Sequence, residues 1–165
     1  MLNRILIDPQ AFATQSETLQ GKVSLQDLDK RIWSPDIADT ATDIHYAITG
    51  GVDRWQRLFL DLTVSGSLKL NCQRCMQPTE FLLDEQVHIV LFHHEQDLDD
   101  AMIADEELEG MVLENELDIF TLLEDQILMA LPISPKHEQC GNNQLDKINQ
   151  DKPNPFAVLA GLKKS

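Results

Sequence analysis

One stretch of the sequence decides the fold: Leu58-Phe59-Leu60-Asp61-Leu62-Thr63-Val64-Ser65-Gly66-Ser67-Leu68-Lys69-Leu70. Aliphatic side chains occupy its even positions and polar ones the odd positions, with Phe59 as the large apolar exception. Because successive side chains of a strand point to opposite faces, this spacing predicts a long β-strand with one buried face. Gly66 interrupts the apolar row and predicts a bulge or bend.

Two further alternating runs flank this stretch. Residues 44–48 alternate between apolar and polar and precede Gly50-Gly51, which predicts a strand followed by a turn. Residues 81–92 alternate as well, but Leu82, Val90 and Phe92 add apolar side chains to the second face, which predicts cover on both sides. Strands that follow one another directly favour an antiparallel meander, and we expect a sheet of three to five strands.

After residue 118 the apolar period changes to about 3.6 residues, which is typical of a helix. Asp118 is the expected N-cap and Pro132 the stop, so the sequence predicts a helix over 118–131 that packs on the sheet. Residues 153–165 predict a short C-terminal helix. It is too short to be stable alone and is therefore expected to dock, preferably on its own domain.

The predicted fold class is accordingly α+β, with residues 1–165 forming a single domain. Two polar segments interrupt the pattern. Residues 93–110 are rich in Asp and Glu and poor in apolar residues, so we expect an acidic mobile loop there. Residues 136–152 predict a second polar loop.

The charge distribution points to a partner class. The net charge is −15, and residues 76–135 hold 16 Asp and Glu but no Lys or Arg. Such a field repels phosphate backbones and attracts basic proteins, although an acidic surface can also serve solubility alone. The expected partner-binding residues are Asp97, Asp99, Asp100, Asp105, Glu106, Glu107 and Glu109.

The alternative is a nucleic-acid module built on a local basic surface. The sequence places Arg54, Arg57, Lys69 and Arg74 in or beside the predicted meander, with aromatic residues nearby. Basic and aromatic side chains on one surface can bind RNA despite an unfavourable global charge.

The cysteines offer a metal site. Two of the three lie in Cys72-Gln73-Arg74-Cys75, a spacing that suits tetrahedral zinc, and His137 with Cys140 can complete the ligand set. Two other interpretations stay open. Cys72 continues the apolar face of its strand and is then an ordinary buried side chain. The second of these is a redox pair, but a redox pair requires a helix N-terminus, and the sequence pattern predicts none here.

No catalytic signature stands out. The sequence has no phosphate-binding glycine loop, no helical zinc-protease motif and no convincing Ser-His-Asp order. We therefore expect a binding protein rather than an enzyme, with no small-molecule substrate and no cofactor except zinc. The odd cysteine count, the absence of a signal-peptide core and the lack of any long apolar run predict a cytoplasmic protein without membrane contact.

Three ordered motifs carry a family resemblance. The first is Leu70-Asn71-Cys72-Gln73-Arg74-Cys75 and the second runs from Glu116-Leu117-Asp118-Ile119 to Glu124-Asp125-Gln126-Ile127-Leu128-Met129-Ala130-Leu131-Pro132. The third is Lys152-Pro153-Asn154-Pro155-Phe156-Ala157-Val158-Leu159-Ala160-Gly161-Leu162-Lys163. Together they resemble the YceD-type large ribosomal RNA subunit accumulation proteins of bacteria, over nearly the whole chain.

The resemblance implies a ribosome biogenesis factor needed for synthesis, processing or accumulation of the large-subunit (23S) ribosomal RNA, with no established catalytic activity. It also implies a second cysteine pair where this chain has His137 and Cys140. Combined with the charge, it predicts that the protein acts on ribosomal RNA indirectly, by binding a basic ribosomal protein or assembly factor.

Overall fold

The computed structural model describes residues 4–140 and 155–163. Its strands and α-helices are, in chain order, β1 (Leu6–Ile7), α1 (Pro9–Thr14), β2 (Thr18–Ser24), β3 (Asp43–Val52), β4 (Leu58–Asn71), β5 (Pro78–Phe92), α2 (Glu95–Ala104), β6 (Glu109–Val112), β7 (Leu117–Asp118) and α3 (Ile119–Ala130). Short 3-10 helices cover Leu25–Asp27, Lys30–Ile32 and Ala157–Lys163. None of the helices in these ranges has the length and apolarity needed to cross a bilayer.

The main sheet has five strands in the order β2-β3-β4-β5-β6, and β1 pairs with β7 separately. Strands β2 to β5 form the predicted antiparallel meander, whereas β6 joins β5 in parallel. The α+β prediction is confirmed. The even positions of β4 face the core, where Leu60, Leu62 and Leu68 are fully buried. We call this side of the sheet the inner face and the opposite side the outer face.

Two glycines play roles other than those predicted. Pairing between β4 and β5 continues without interruption through Gly66, so the bulge, one of the two features predicted there, is absent from this ladder. Gly50 lies within β3 and not in a turn, because helix α1 crosses the strand there. A Cβ at Gly50 would lie 2.7 Å from the carbonyl oxygen of Phe12. Both glycines therefore permit close approach of neighbouring atoms.

The predicted helix over 118–131 is confirmed as α3. The side chain of Asp118 caps it by accepting a hydrogen bond from the backbone N–H of Phe120 at 2.9 Å. Ile119, Leu123 and Ile127 are fully buried. This stripe packs α3 on the inner face of the sheet.

A buried carboxylate attaches α3 to the N-terminal part of the chain. Glu124 has a side chain only 2% exposed, and it pairs with Arg31 at 3.0 Å and Arg4 at 3.4 Å. Its Oε1 also accepts a hydrogen bond from the backbone N–H of Asp29 at 2.9 Å. Burial of this charge is tolerated because both of its oxygens have donors.

The expected loop over 93–110 is wrong in its secondary structure, because α2 and β6 form there. Helix α2 packs on the outer face through Leu98, and a Cβ at Gly110 would lie 2.6 Å from Cδ1 of Leu98. Val90 is 2% exposed, which agrees with the predicted cover on both faces at the C-terminal end of β5, whereas Leu82 is 74% exposed and the prediction is wrong there. This helix has no apolar stripe that a sequence pattern could show, because no residue of α2 is fully buried.

The C-terminal predictions are met in part. Residues 136–140 are irregular, as expected, while 141–152 lie outside the described residues. A short helix forms at Ala157–Lys163 as a 3-10 helix. Val158 and Leu159 are 79% and 57% exposed, so these side chains do not show the expected docking on the domain.

Candidate metal centre

The turn between β4 and β5 brings the first two cysteines together. The backbone N–H of Cys72 donates to the carbonyl of Gln77 at 2.9 Å, and the N–H of Met76 donates back to the carbonyl of Cys72 at 2.8 Å. Met76 has φ of 60°, which closes the turn in the left-handed region. The turn is tight enough to leave the sulfurs of Cys72 and Cys75 on the same side.

The segment after α3 supplies the other two candidates. The helix ends before Pro132, and the backbone N–H of Gln73 donates to the carbonyl of Pro135 at 2.8 Å. This contact places His137 and Cys140 beside the turn. The sulfur atoms of Cys72, Cys75 and Cys140 and a ring nitrogen of His137 all lie within 4.8 Å of one another. The four residues predicted from the sequence are therefore brought together.

The histidine is oriented as a ligand. Nε2 of His137 lies 2.9 Å from the carbonyl oxygen of Pro78, which can only accept a hydrogen bond. The proton of the neutral ring therefore sits on Nε2, and the lone pair of Nδ1 faces Sγ of Cys75 at 3.4 Å. Metal-binding histidines are typically held by such a contact to a carbonyl or carboxylate.

The pKa values of Cys72, His137 and Cys140 depart from their ordinary values in different directions. Burial acts to raise the pKa of the Cys72 thiol, but hydrogen bonds from the backbone of Cys75 and His137 outweigh it and lower that pKa to about 5. The hydrogen bonds that His137 makes to the carbonyl at 78 and to Cys72 raise its pKa. A hydrogen bond with Cys75, followed by burial, raises the pKa of Cys140 to about 11. A bound metal cation would stabilise the thiolate forms of several of these cysteines at once, and would thereby offset the effects that raise the pKa of Cys140.

This donor set suits zinc. Three sulfurs and one imidazole form a Cys₃His ligand set, and ligands of tetrahedral zinc lie roughly 3.5 to 3.8 Å apart, so only a slight contraction is needed. The redox interpretation gains no support, because Cys72 directly follows strand β4 and no helix begins at the motif. Burial of Cys72 agrees with the unliganded interpretation but does not explain why the other three residues converge on it.

The seven predicted partner-binding acids cluster in one stretch of the chain, from α2 to the start of β6. They lie on α2, on the connection to β6 and at the first residue of β6, and all are exposed: Asp97, Asp99, Asp100, Asp105, Glu106, Glu107 and Glu109. We call this set the acidic surface.

The four predicted RNA contacts do not form one surface. Arg54 and Arg57 flank the ring of Trp55 in the β3–β4 turn, with guanidinium carbons 4.0 and 4.8 Å from its centroid. Lys69 and Arg74 lie at the other end of β4. At about 3.3 Å per residue, Arg57 and Lys69 are up to roughly 40 Å apart along the strand.

Two features of this region are not visible in the sequence. The carbonyl of Pro78, which orients His137, and the contact between Gln73 and Pro135 are both backbone groups. Backbone contacts between distant segments leave no signature in residue types.

The comparisons with known proteins bear on these motifs. The sequence profile described as "Large ribosomal RNA subunit accumulation protein YceD" matches residues 60–163. The chain belongs to this family. A protein of the YceD family from Haemophilus influenzae, described by the same words, is 26% identical over 168 aligned residues, which cover 96% of this chain and 95% of that protein. No solved structure gives a significant match. The predicted family is therefore confirmed, and the profile spans the whole candidate metal centre.

Proposed function

We propose that this protein supports the accumulation of large-subunit ribosomal RNA in the cytoplasm by binding a basic protein, either a ribosomal protein or an assembly factor. The role follows the description shared by the YceD family and its Haemophilus influenzae relative. The mode of action is binding and not catalysis, because neither the sequence motifs nor the metal centre offers an open catalytic position.

The acidic surface is the observation that carries this proposal. Its seven carboxylates are exposed, and no Lys or Arg occurs anywhere in residues 76–135 to neutralise them. A concentrated field of one sign speeds encounter with oppositely charged partners and disfavours phosphate backbones. The protein would then act on ribosomal RNA indirectly, through a basic partner protein that carries the positive charge.

Direct RNA binding is the competing function, and one observation favours it. Trp55 is 60% exposed, and aromatic side chains of this kind can stack on a base; the guanidinium carbons of Arg54 and Arg57 lie 4.0 and 4.8 Å from its ring centroid. Arg57, however, is already paired with Asp53 at 2.8 Å. The separation of these arginines from Lys69 and Arg74 further limits the number of phosphates that one RNA segment can contact.

The test compares two variants with equal changes in charge. The first neutralises five members of the acidic surface: Asp97→Asn, Asp99→Asn, Asp100→Asn, Glu106→Gln and Glu107→Gln. The control neutralises five exposed acids elsewhere: Glu17→Gln, Asp27→Asn, Asp84→Asn, Glu114→Gln and Glu116→Gln. Affinity capture at low salt, with the captured proteins identified by mass spectrometry, should lose basic ribosomal proteins or assembly factors only for the first variant.

Binding to purified large-subunit RNA decides between the two functions. We expect weak binding at physiological ionic strength. Tight binding that both five-residue variants retain, and that Arg54→Ala with Arg57→Ala abolishes, contradicts the protein-partner proposal and supports the RNA module.

We also propose that Cys72, Cys75, His137 and Cys140 hold one structural zinc ion. The convergence of the four donors and the carbonyl contact of His137 support this role. The ion would join the β4–β5 turn to the segment after α3, two parts of the chain about 60 residues apart in sequence.

A further inference from the structure

A groove of about 510 Å³ separates β6 from α3. Met111 of β6 lines one wall, and Leu122, Leu128 and Met129 of α3 contribute apolar side chains on the other. Leu122 and Met129 are two turns apart on a second face of α3, beside the stripe that packs in the core. We call this feature the edge groove.

The charges at the edge groove are negative. Glu109 and Asp125 both line it. Asp125 is paired with Arg31 at 2.8 Å. No ion pair to Glu109 is present within residues 4–140 and 155–163. A segment that enters the groove therefore meets a negative potential, which favours a positively charged partner.

The backbone of β6 offers hydrogen-bonding groups beside the groove. Strand β6 is the last in the sheet, and no other strand in the described part of the chain pairs with its second edge. The N–H of Leu113 donates to the carbonyl of Phe92 at 2.8 Å, so the odd residues turn their backbone groups toward β5. By alternation, the backbone groups of Gly110 and Val112 point outward, where an added strand can pair.

We propose that the edge groove binds an extended segment of a basic protein, which adds to the sheet as a strand beside β6. In a strand, alternate side chains point to opposite faces. One set would be apolar and pack against Met111, Leu122 and Met129. The other set would be basic and face the acidic surface, whose Asp105, Glu106 and Glu107 precede β6. This inference rests on the proposed function and specifies the chemistry of the partner.

A defined peptide tests the proposal on the full-length protein. The probe is a fluorescent peptide of alternating valine and lysine, with binding followed by fluorescence anisotropy. A second peptide carries the same side chains but is N-methylated at alternate residues, so that it keeps its charge and cannot pair on that edge. We expect the N-methylated peptide to bind at least about tenfold more weakly, because edge pairing supplies much of the affinity in strand addition. Equal binding of the two peptides overturns the proposal that the segment adds to the sheet as a strand.

Two variants with the same change in charge separate the groove from the general field. Met129→Lys places a cation in the edge groove, while Ile103→Lys places one on α2 beside the acidic surface. Both wild-type side chains are exposed, at 65% and 80%, so neither change should disturb folding. We expect Met129→Lys to weaken peptide binding at least about tenfold and Ile103→Lys to weaken it much less. Equal losses of peptide affinity in the two variants mean that charge alone binds the peptide, and they overturn the proposal that the edge groove is the binding site.

Other occupants give distinct results. A dimer in sedimentation that Met129→Lys dissolves assigns the groove to a second copy of this chain and overturns the proposal. Stronger peptide binding after removal of residues 155–165 assigns the groove to the C-terminal segment, with the same consequence. The groove proposal can be wrong while the proposed function holds. In that case the Met129→Lys variant still captures basic proteins, and the variant with five neutralised residues of the acidic surface does not.

Discussion

The substitution Glu124→Ala should destabilise the protein strongly although Glu124 does not belong to the apolar core. Glu124 is buried, and its carboxylate receives donors from Arg31, Arg4 and the backbone of Asp29. Removing one member of a buried ion pair costs about 3 to 5 kcal/mol when the remaining charge stays buried. Here both arginine side chains are 40% to 45% exposed and regain water, which reduces the cost. The orphaned N–H of Asp29 adds about 1 to 3 kcal/mol.

We therefore expect a loss of about 3 kcal/mol in the free energy of unfolding. For a chain of this size that corresponds to a decrease in Tm of roughly 6 to 12 °C. The measurement is chemical denaturation monitored by circular dichroism, together with thermal melting. Asp125→Asn is the matched control, because Asp125 pairs with the same Arg31 at 2.8 Å but is 48% exposed. It should cost less than about 1 kcal/mol. Equal costs for the two variants would refute the argument from burial.

Three further outcomes are expected. Cys140→Ser should lower the zinc content of the purified protein well below one ion per chain, as measured by inductively coupled plasma mass spectrometry; an unchanged content contradicts the ligand assignment. In the metal-free protein, the thiolate absorbance of Cys72 should titrate with a midpoint near pH 5. Because this pKa is lowered from its ordinary value of 9.0, the stabilisation that the thiolate provides is complete above pH 9 and is lost as the pH falls to about 5. A titration midpoint above pH 8 contradicts the argument that hydrogen bonds lower the pKa of Cys72. Gly50→Ala should cost about 1 to 3 kcal/mol, because its Cβ would overlap the backbone of α1, while Gly161→Ala has no atom within 4 Å and should leave the thermal melting curve unchanged.

The sequence predicted the centre of the fold well because hydrophobic periodicity is a direct record of burial. The alternation in β4 and the helical spacing in α3 each arise from one buried face. Helix α2 left no such record, since none of its residues is fully buried and Leu98 packs closely on Gly110. Gly50 misled the prediction for a related reason. A glycine marks a place that needs room, and the sequence does not say whether a turn or a neighbouring helix needs it.

The four metal-ligand candidates could be identified from spacing, because a Cys-x-x-Cys pair and a His-x-x-Cys pair each chelate locally. Their convergence could not be established from the sequence. It depends on the hydrogen bond between Gln73 and the carbonyl of Pro135, which joins two segments through the backbone alone. The basic residues show the opposite case. Arg57 directly precedes β4 and Lys69 lies near its other end, so the length of that strand separates them.

The geometry of β5 separates the two functional features of the molecule. This strand begins at Pro78, beside the candidate metal centre, and ends at Phe92, next to α2 and the acidic surface. Fifteen residues of strand span roughly 45 Å. Charges at that distance in water at physiological ionic strength lie several Debye lengths apart and do not influence one another directly. A metal ion held at Cys72 therefore cannot tune the acidic surface through its field. Its effect must pass through the fold, by holding the segment after α3 against the β4–β5 turn, and α3 itself forms one wall of the edge groove.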